Sequence, residues 1–186
     1  MKPGTRALGI AESYRDDCER STLAGAVVRA DGIVDGLEYG SCTVGGTDAT
    51  AAVVDLVATI GRPDARHVLL GAIAPAWFNF LYLSTIREAV DRPVIAVTFE
   101  ESDGLEDDLR DAFSGAERER RLETYRALPA RRKLTVDDET VYVRSAGCEF
   151  DEAAGVVRAF TLEGGRPEPL RVARLAARAG DAVRSA

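Results

Sequence analysis

Gly45-Gly46 divides this chain into two hydrophobic patterns of different period, and that division constrains the fold more than any other feature. Before it come three strand-like runs, Arg6 to Ala11, Thr22 to Arg29 and Gly36 to Val44. Asp31-Gly32 is a hairpin signal between the second and third, so the three read as an antiparallel meander. After it, helix and strand alternate. Thr47 or Asp48 caps a helix through Ile60, with apolar positions at Val53, Val54, Leu56, Val57 and Ile60. Arg66 to Gly71 is a strand too apolar for a sheet edge. Pro75 is placed to open a helix running to about Val90, and Pro93 to Phe99 is another buried strand. Short helical crossovers between apolar strands favour parallel pairing. The expected class is therefore α/β: a mixed sheet, an antiparallel meander followed by parallel strands, with flanking helices.

Beyond Phe99 the pattern changes. Glu100 to Asp111 is acidic, and Ala116 to Leu128 is a charged helix ended by Pro129. Two short strands, Arg132 to Val136 and Thr140 to Arg144, are joined at Asp137-Asp138-Glu139. A helix around Asp151 to Phe160, a break at Gly164-Gly165 and a helix from about Glu168 to Val183 follow. For 186 residues the prior is one domain, read here as a core over 1–99 and a helical and two-strand extension over 100–186 packing on it.

Composition narrows the function classes. No apolar run approaches the roughly 18 residues of a membrane span, and Met1 to Arg6 leads straight into a strand with no secretory apolar segment. The expectation is a cytoplasmic protein with no membrane partner and no small organic cofactor. Cys18, Cys42 and Cys148 are three and far apart, with no Cys-x-x-Cys pair, so they support neither a zinc site nor a disulfide framework. Net charge is −7, and all but Lys2 and Lys133 of the 24 basic residues are arginine. Acidic excess with scarce lysine reads as adaptation to high salt. In such a chain overall charge says little about nucleic acid, and only a local basic face counts. Two basic groups stand out: Arg131-Arg132-Lys133, and Arg171, Arg174 and Arg178 on one face of the last helix.

Candidate chemistry lies in three short pieces, each where a strand ends or a helix begins: Leu8 to Ser13, Thr43 to Thr50, and Leu69 to Asn79. They offer a carboxylate at a strand end (Glu12), a carboxylate at a helix start (Asp48) and an amide at another helix start (Asn79). Phosphodiester hydrolysis needs an activated water and neutralised charge, which one or two divalent ions supply. Mg²⁺ takes one or two carboxylates and completes its shell with water and substrate phosphate, so Glu12 and Asp48 are the candidate catalytic and metal-binding pair. Asp48 also reads as a helix cap. Gly46, Trp77, Asn79 and Arg132 are candidate nucleic-acid contacts: a close phosphate approach, a base stack, a base edge and a backbone phosphate. His67, the only histidine, precedes an apolar strand and reads as structural.

The meander followed by alternating helices and strands resembles the ribonuclease-H-like arrangement. The segments Leu8 to Ser13, Thr43 to Thr50, Leu69 to Asn79 and Pro93 to Val97 resemble an archaeal family of endonuclease V relatives, the endonuclease-dU-like group long catalogued as a domain of unknown function. The resemblance covers about the first hundred residues. It implies an endonuclease V-like fold and an endonuclease that nicks DNA containing deaminated bases, uracil or hypoxanthine, in a repair role with Mg²⁺ or Mn²⁺. The family's first-strand Gly-Ile-Asp falls on Gly9-Ile10-Ala11, with Glu12 next door. Its Val-Asp-Gly falls on Val44-Gly45-Gly46, Asp48 matches, and an aspartate after the Phe-Asn piece falls on Tyr82. Two alternatives stay open: a nuclease fold that binds nucleic acid or a partner without cutting, motivated by Ala11, Gly45 and Tyr82, and a small-ligand module using Gly45-Gly46 as a phosphate loop.

Overall fold

The computed structural model describes residues 1–15, 17–99, 101 and 104–184. Asp16 of the polar stretch after β1, and Glu100, Ser102 and Asp103 of the acidic stretch, lie outside them. Seven strands form one sheet: β1 (Arg6–Ser13), β2 (Arg20–Arg29), β3 (Val34–Thr43), β4 (Ala65–Leu70), β5 (Val94–Thr98), β6 (Arg132–Val136) and β7 (Glu139–Ala146), in the order β3-β2-β1-β4-β5-β7-β6. β1, β2 and β3 pair antiparallel, β4 runs parallel to β1, and β5 runs parallel to β4. The meander and the parallel strands thus stand as expected. β7 pairs antiparallel with β5 and carries β6 at the edge. The strands of residues 100–186 therefore continue the same sheet as those of 1–99.

Side-chain alternation builds two cores. One face presents Leu8, Ile10, Leu23, Val27, Val68 and Leu70 to α1 (Ala49–Ile60) and to α3 (Leu83–Val90), whose Val53, Leu56 and Ile86 meet them. The other presents Leu69, Ile95, Val97, Val141 and Val143 to α6 (Phe150–Phe160), and Ala26 and Val28 to Ala173 of α7 (Glu168–Arg184). Small residues on β1 let α7 come close, and a Cβ on Gly9 would lie 2.2 Å from the carbonyl carbon of Pro169. α1 ends at Gly61 with φ +58°, the left-handed residue that commonly stops a helix. Gly155 is the counter-case: it is exposed in mid-α6, with open space where a Cβ would go. Gly155→Ala is expected to stabilise the fold by about 1 kcal/mol, through helix propensity and a less flexible unfolded chain. A rise in the urea midpoint with unchanged slope would show it.

The helix expected from Pro75 to about Val90 is not continuous. Pro75 opens α2 (Pro75–Phe78), a single left-handed turn with φ of +48°, +57° and +61° at Ala76, Trp77 and Phe78. The Asn79 N–H closes it onto the Pro75 carbonyl at 3.0 Å. The right-handed helix starts only at Leu83. Proline explains a helix start but says nothing of handedness. Left-handed residues cost about 1–2 kcal/mol each for side chains other than glycine, so tertiary contacts hold the turn. The Gly45 N–H donates to the Ala76 carbonyl at 2.7 Å. Arg121 of α5 (Gly115–Arg126) donates to the carbonyls of Phe78 and Gly45 at 2.5 and 2.9 Å.

Candidate functional site

β1, β4 and β5 end on the same side of the sheet, where open α/β sheets keep their ligand sites. Glu12, near the end of β1, is half-buried. Its Oε2 accepts a hydrogen bond from the Ser21 hydroxyl at 2.9 Å, and the backbone N–H of Ala76 also reaches it. Burial pushes its pKa above the ordinary carboxylate value. The Ser21 and Ala76 hydrogen bonds and the charge of Arg174 oppose that, and Asp181 adds to it. Glu12 pairs with Leu23 and bonds Ser21, so it points to the α1 side of the sheet, whereas Ala11 packs with Ala26, Val28 and Ala173 on the α7 side. An acid at position 12 therefore does not fill the space an acid at 11 would fill.

Asp48 also lies on the α1 side. Both carboxylates, with burial as the larger cause, help push the thiol of the buried Cys42 up to about 12. Asp48 precedes α1, but its carboxylate does not cap the helix amides. It turns back and accepts from the Thr43 N–H at 2.9 Å, the Thr43 hydroxyl at 2.8 Å, Asn79 Nδ2 at 2.7 Å and Arg20 at 3.5 Å. Burial acts to raise its pKa, but the Thr43 and Asn79 hydrogen bonds outweigh it and hold the pKa below the ordinary value. The capping task falls to Asn79, which is 0% exposed: its Oδ1 accepts from the Ala49 N–H at 2.9 Å, while Nδ2 donates to Asp48 and to the Thr43 carbonyl.

These contacts correct three sequence expectations. Asn79 cannot read a base edge, because it has no solvent exposure and its side-chain amide is used inside the protein. Gly46 is required by close packing, since a Cβ there would lie 2.7 Å from Thr43 Cβ, 3.1 Å from Asp48 Oδ1 and 3.2 Å from Asn79 Nδ2. The Gly45 and Gly46 amides donate to the Ala76 and Thr43 carbonyls, so the pair is not a phosphate loop. Gly46 does line an open groove of about 370 Å³ with Thr47, Phe78, Tyr82, Arg120 and Arg121.

A resident divalent ion does not fit this donor set. Among the described residues, no group of three His, Cys, Asp or Glu side chains could hold one. Asp48 has its oxygens committed to Thr43, Asn79 and Arg20. The cleft beside Glu12 offers about 10 Å³ between Ile10, Ala11, Leu23, Pro75 and Leu81. That is room for about one water, whereas Mg²⁺ keeps several of its own.

Trp77 lies on the left-handed turn. It is 44% exposed, resting on Gly45 on one side and on Phe113 at a centroid distance of 4.9 Å. Arg132 is exposed with its guanidinium 3.8 Å over the Phe150 ring, and it stands on the edge strand four strands from Glu12, about 19 Å at ordinary strand spacing. The structure does not bring the two together. His67 is buried, and burial lowers its pKa despite the Glu152 carboxylate 3.7 Å away, in keeping with a structural role.

The structure also assembles a site that the sequence did not reveal. Gly71 and Ala72, which border the Glu12 cleft, also border a second pocket of about 300 Å³ at the ends of β4 and β5. Arg131, Arg144, Arg166 and Arg174 line it, with Tyr125 and Phe99. Arg131 and Arg174 were visible as parts of basic runs. Arg144 sits at the end of an apolar strand and Arg166 just after Gly164-Gly165; neither has a periodic signal. Arg171, expected on one face with Arg174, pairs instead with Glu168 at 2.7 Å.

Comparison with known proteins follows the same lines. The endonuclease dU family model matches residues 3–180. A UPF0215 protein of Pyrobaculum calidifontis is 31% identical over 172 residues, covering 91% of this chain and 93% of its own. The crystal structure of an Archaeoglobus fulgidus protein of unknown function is similar with a TM-score of 0.81 at 25% identity, covering 94% of this chain and 96% of its own. Human endonuclease V is similar with a TM-score of 0.68 at 15% identity, over 98% of this chain and 86% of its own. Ciona intestinalis endonuclease V, solved with DNA containing an inosine, scores 0.64 at 12% identity over 95% and 85%. The fold is thus that of endonuclease V, a nuclease fold, and the chain belongs to the endonuclease dU family.

Proposed function

We propose that this protein acts on DNA carrying deaminated bases, uracil or hypoxanthine, as an endonuclease in repair, with the strand lying across the ends of β1, β4 and β5. The observation that carries this reading is Glu12, a partly buried carboxylate at the end of β1, one residue beyond the position where the family carries its first-strand acid, with room for one water beside it. Its raised pKa moves it toward the range where a general base works best at neutral pH. The Ser21 hydroxyl and Ala76 N–H fix its orientation, and the carboxylate takes the proton of an attacking water. Trp77, exposed on the turn whose Ala76 N–H reaches Glu12, offers a face for a displaced base. The likeness to an endonuclease V bound to inosine-containing DNA supports the substrate class.

The test is nicking of labelled oligonucleotides containing deoxyuridine or deoxyinosine, at low and high salt, with Mg²⁺, with Mn²⁺ and with chelator. Glu12→Gln is expected to lower the rate by about 100-fold or more, as loss of a general base does. It is not expected to destabilise the protein. The folded pKa of Glu12 lies above its ordinary value of 4.5, so its ionisation at neutral pH opposes folding. Equal rates for parent and variant would overturn the assignment.

A second reading, binding without cutting, is favoured by two observations: Ala11 stands where the family places an acid, and the Asp48 carboxylate already accepts from Thr43 and Asn79. It predicts no nicking by any protein under any ion. Trp77→Ala would then weaken binding to lesion DNA by about 1–3 kcal/mol, the usual worth of one stacked base, measured by fluorescence anisotropy.

A further inference from the structure

We propose that the arginine pocket at the ends of β4 and β5 binds the phosphate of a single nucleotide unit, with Arg144, Arg166 and Arg174 as its cationic ligands. Three guanidiniums come from separate parts of the chain, β7, the segment before α7, and α7, to border one cavity of about 300 Å³. That size is at the small end of ligand pockets and suits one nucleotide better than a duplex.

The charge pattern points to an anion. Among the described residues that line this pocket none is acidic, and four are arginine. Among the described residues neither Arg166 nor Arg174 forms an ion pair, whereas Arg110, Arg121, Arg126 and Arg171 each do. Arg144 is 9% exposed and is held by neutral acceptors, the Pro129 carbonyl and the Tyr125 hydroxyl, so its positive charge is not cancelled. Arg166 has its guanidinium carbon 3.8 Å over the centre of the Phe99 ring, a contact that uses none of its N–H donors. Burial lowers the pKa of Arg144, and burial with the nearby Arg174 lowers that of Arg166. Gathering like charges in a partly desolvated pocket costs stability, and an oxyanion with several acceptor oxygens reverses that cost. Guanidinium forks match phosphate oxygens in geometry, and Tyr125 on the wall offers an aromatic face. Neutralisation here needs no metal ion.

The choice of a nucleotide over other phosphate esters rests on the DNA-directed reading above; the anion site itself does not. Calorimetric titration of the intact protein in chelator at about 0.1 M salt tests both. The probes are deoxyuridine monophosphate, deoxyuridine, inorganic phosphate, and an eight-residue oligothymidine with and without a 5′ phosphate. Deoxyuridine monophosphate is expected to bind at least tenfold more tightly than deoxyuridine and than inorganic phosphate. Arg174→Gln, at an exposed helix position, and Arg166→Gln are each expected to weaken it about tenfold while keeping the melting temperature. A 5′ phosphate that strengthens oligonucleotide binding tenfold identifies the end of a strand as the source. Equal binding of both oligonucleotides, with tight monophosphate binding, identifies a free nucleotide. Deoxyuridine binding as well as its monophosphate, both arginine variants keeping full affinity, or no binding of any phosphate would overturn the site. Inorganic phosphate matching the monophosphate would overturn the nucleotide. None of these readouts involves nicking, so failure of the endonuclease reading and failure of this one are told apart.

Discussion

Gly9→Ala is expected to destabilise the protein by at least about 3 kcal/mol, beyond the usual range for overpacking. The added Cβ would sit 2.2 Å and 2.3 Å from the carbonyl carbon and oxygen of Pro169, and 2.7 Å from the Leu170 nitrogen. All three are backbone atoms, so no rotamer change relieves the clash. Either β1 shifts away from β2 and β4, which flank it, or the start of α7 lifts off the sheet. The second is the easier route, and it exposes Leu170 and Ala173, which are buried. A thermal melt should move down by about 6–12 °C for a chain of this size. Limited proteolysis should cut near the Gly164-Gly165 turn in the variant and not in the parent. A variant with the parent's melting temperature would show that α7 is not seated on β1 as described.

Asn79→Ala is the second large effect. It removes the acceptor of the Ala49 N–H, a donor to the Thr43 carbonyl and a donor to the Asp48 carboxylate, all at a position with no solvent exposure. A buried donor left without a partner costs about 1–3 kcal/mol, and a hydrogen bond to a charged group about 1.5–3 kcal/mol. The total expected is about 3 kcal/mol, read from chemical denaturation at neutral pH. Asn79→Asp should be no better, because it sets a second carboxylate against Asp48 Oδ1. The acid limb gives an independent check. Asp48 has a folded pKa below its ordinary 3.8, so the stability it contributes is present above that value and is lost as pH falls through the folded pKa. Removing Asn79 takes away one of the hydrogen bonds responsible, so the parent and variant stability curves should converge toward low pH.

Much of the fold was legible because its signals are local. The Asp31-Gly32 turn and the apolar runs of β2, β4 and β5 each state their element without reference to the rest of the chain. The pairing of β7 with β5 was not legible, because no local pattern says which edge a late hairpin joins. The left-handed turn at Ala76–Phe78 was hidden for a different reason. Its residues have no preference for that conformation, and Gly45 and Arg121 impose it from elsewhere. The candidate site divided the same way. Glu12 could be placed at a strand end, whereas Trp77 was expected on a right-handed helix and stands on the left-handed turn. Asn79 and Gly46 looked like surface ligand groups because sequence shows residue type and not burial. Arg144 and Arg166 carried no pattern, and only the fold joins them to Arg174.

The sheet face that α7 covers has a consequence for how the chain reaches its native state. β1 and its cover are separated by almost the whole sequence, so during synthesis the β1–β2 surface waits bare while every intervening element emerges. Long waiting exposes many proteins to misassembly. Here the waiting surface is made of Ala7, Gly9, Ala11, Ala26 and Val28, groups too small to offer much adhesive area to a neighbour. The larger side chains of β1, Leu8 and Ile10, face α1, which follows soon after in the chain. The same small residues that allow backbone-to-backbone seating of α7 thus make the delayed half of the molecule quiet until its partner arrives.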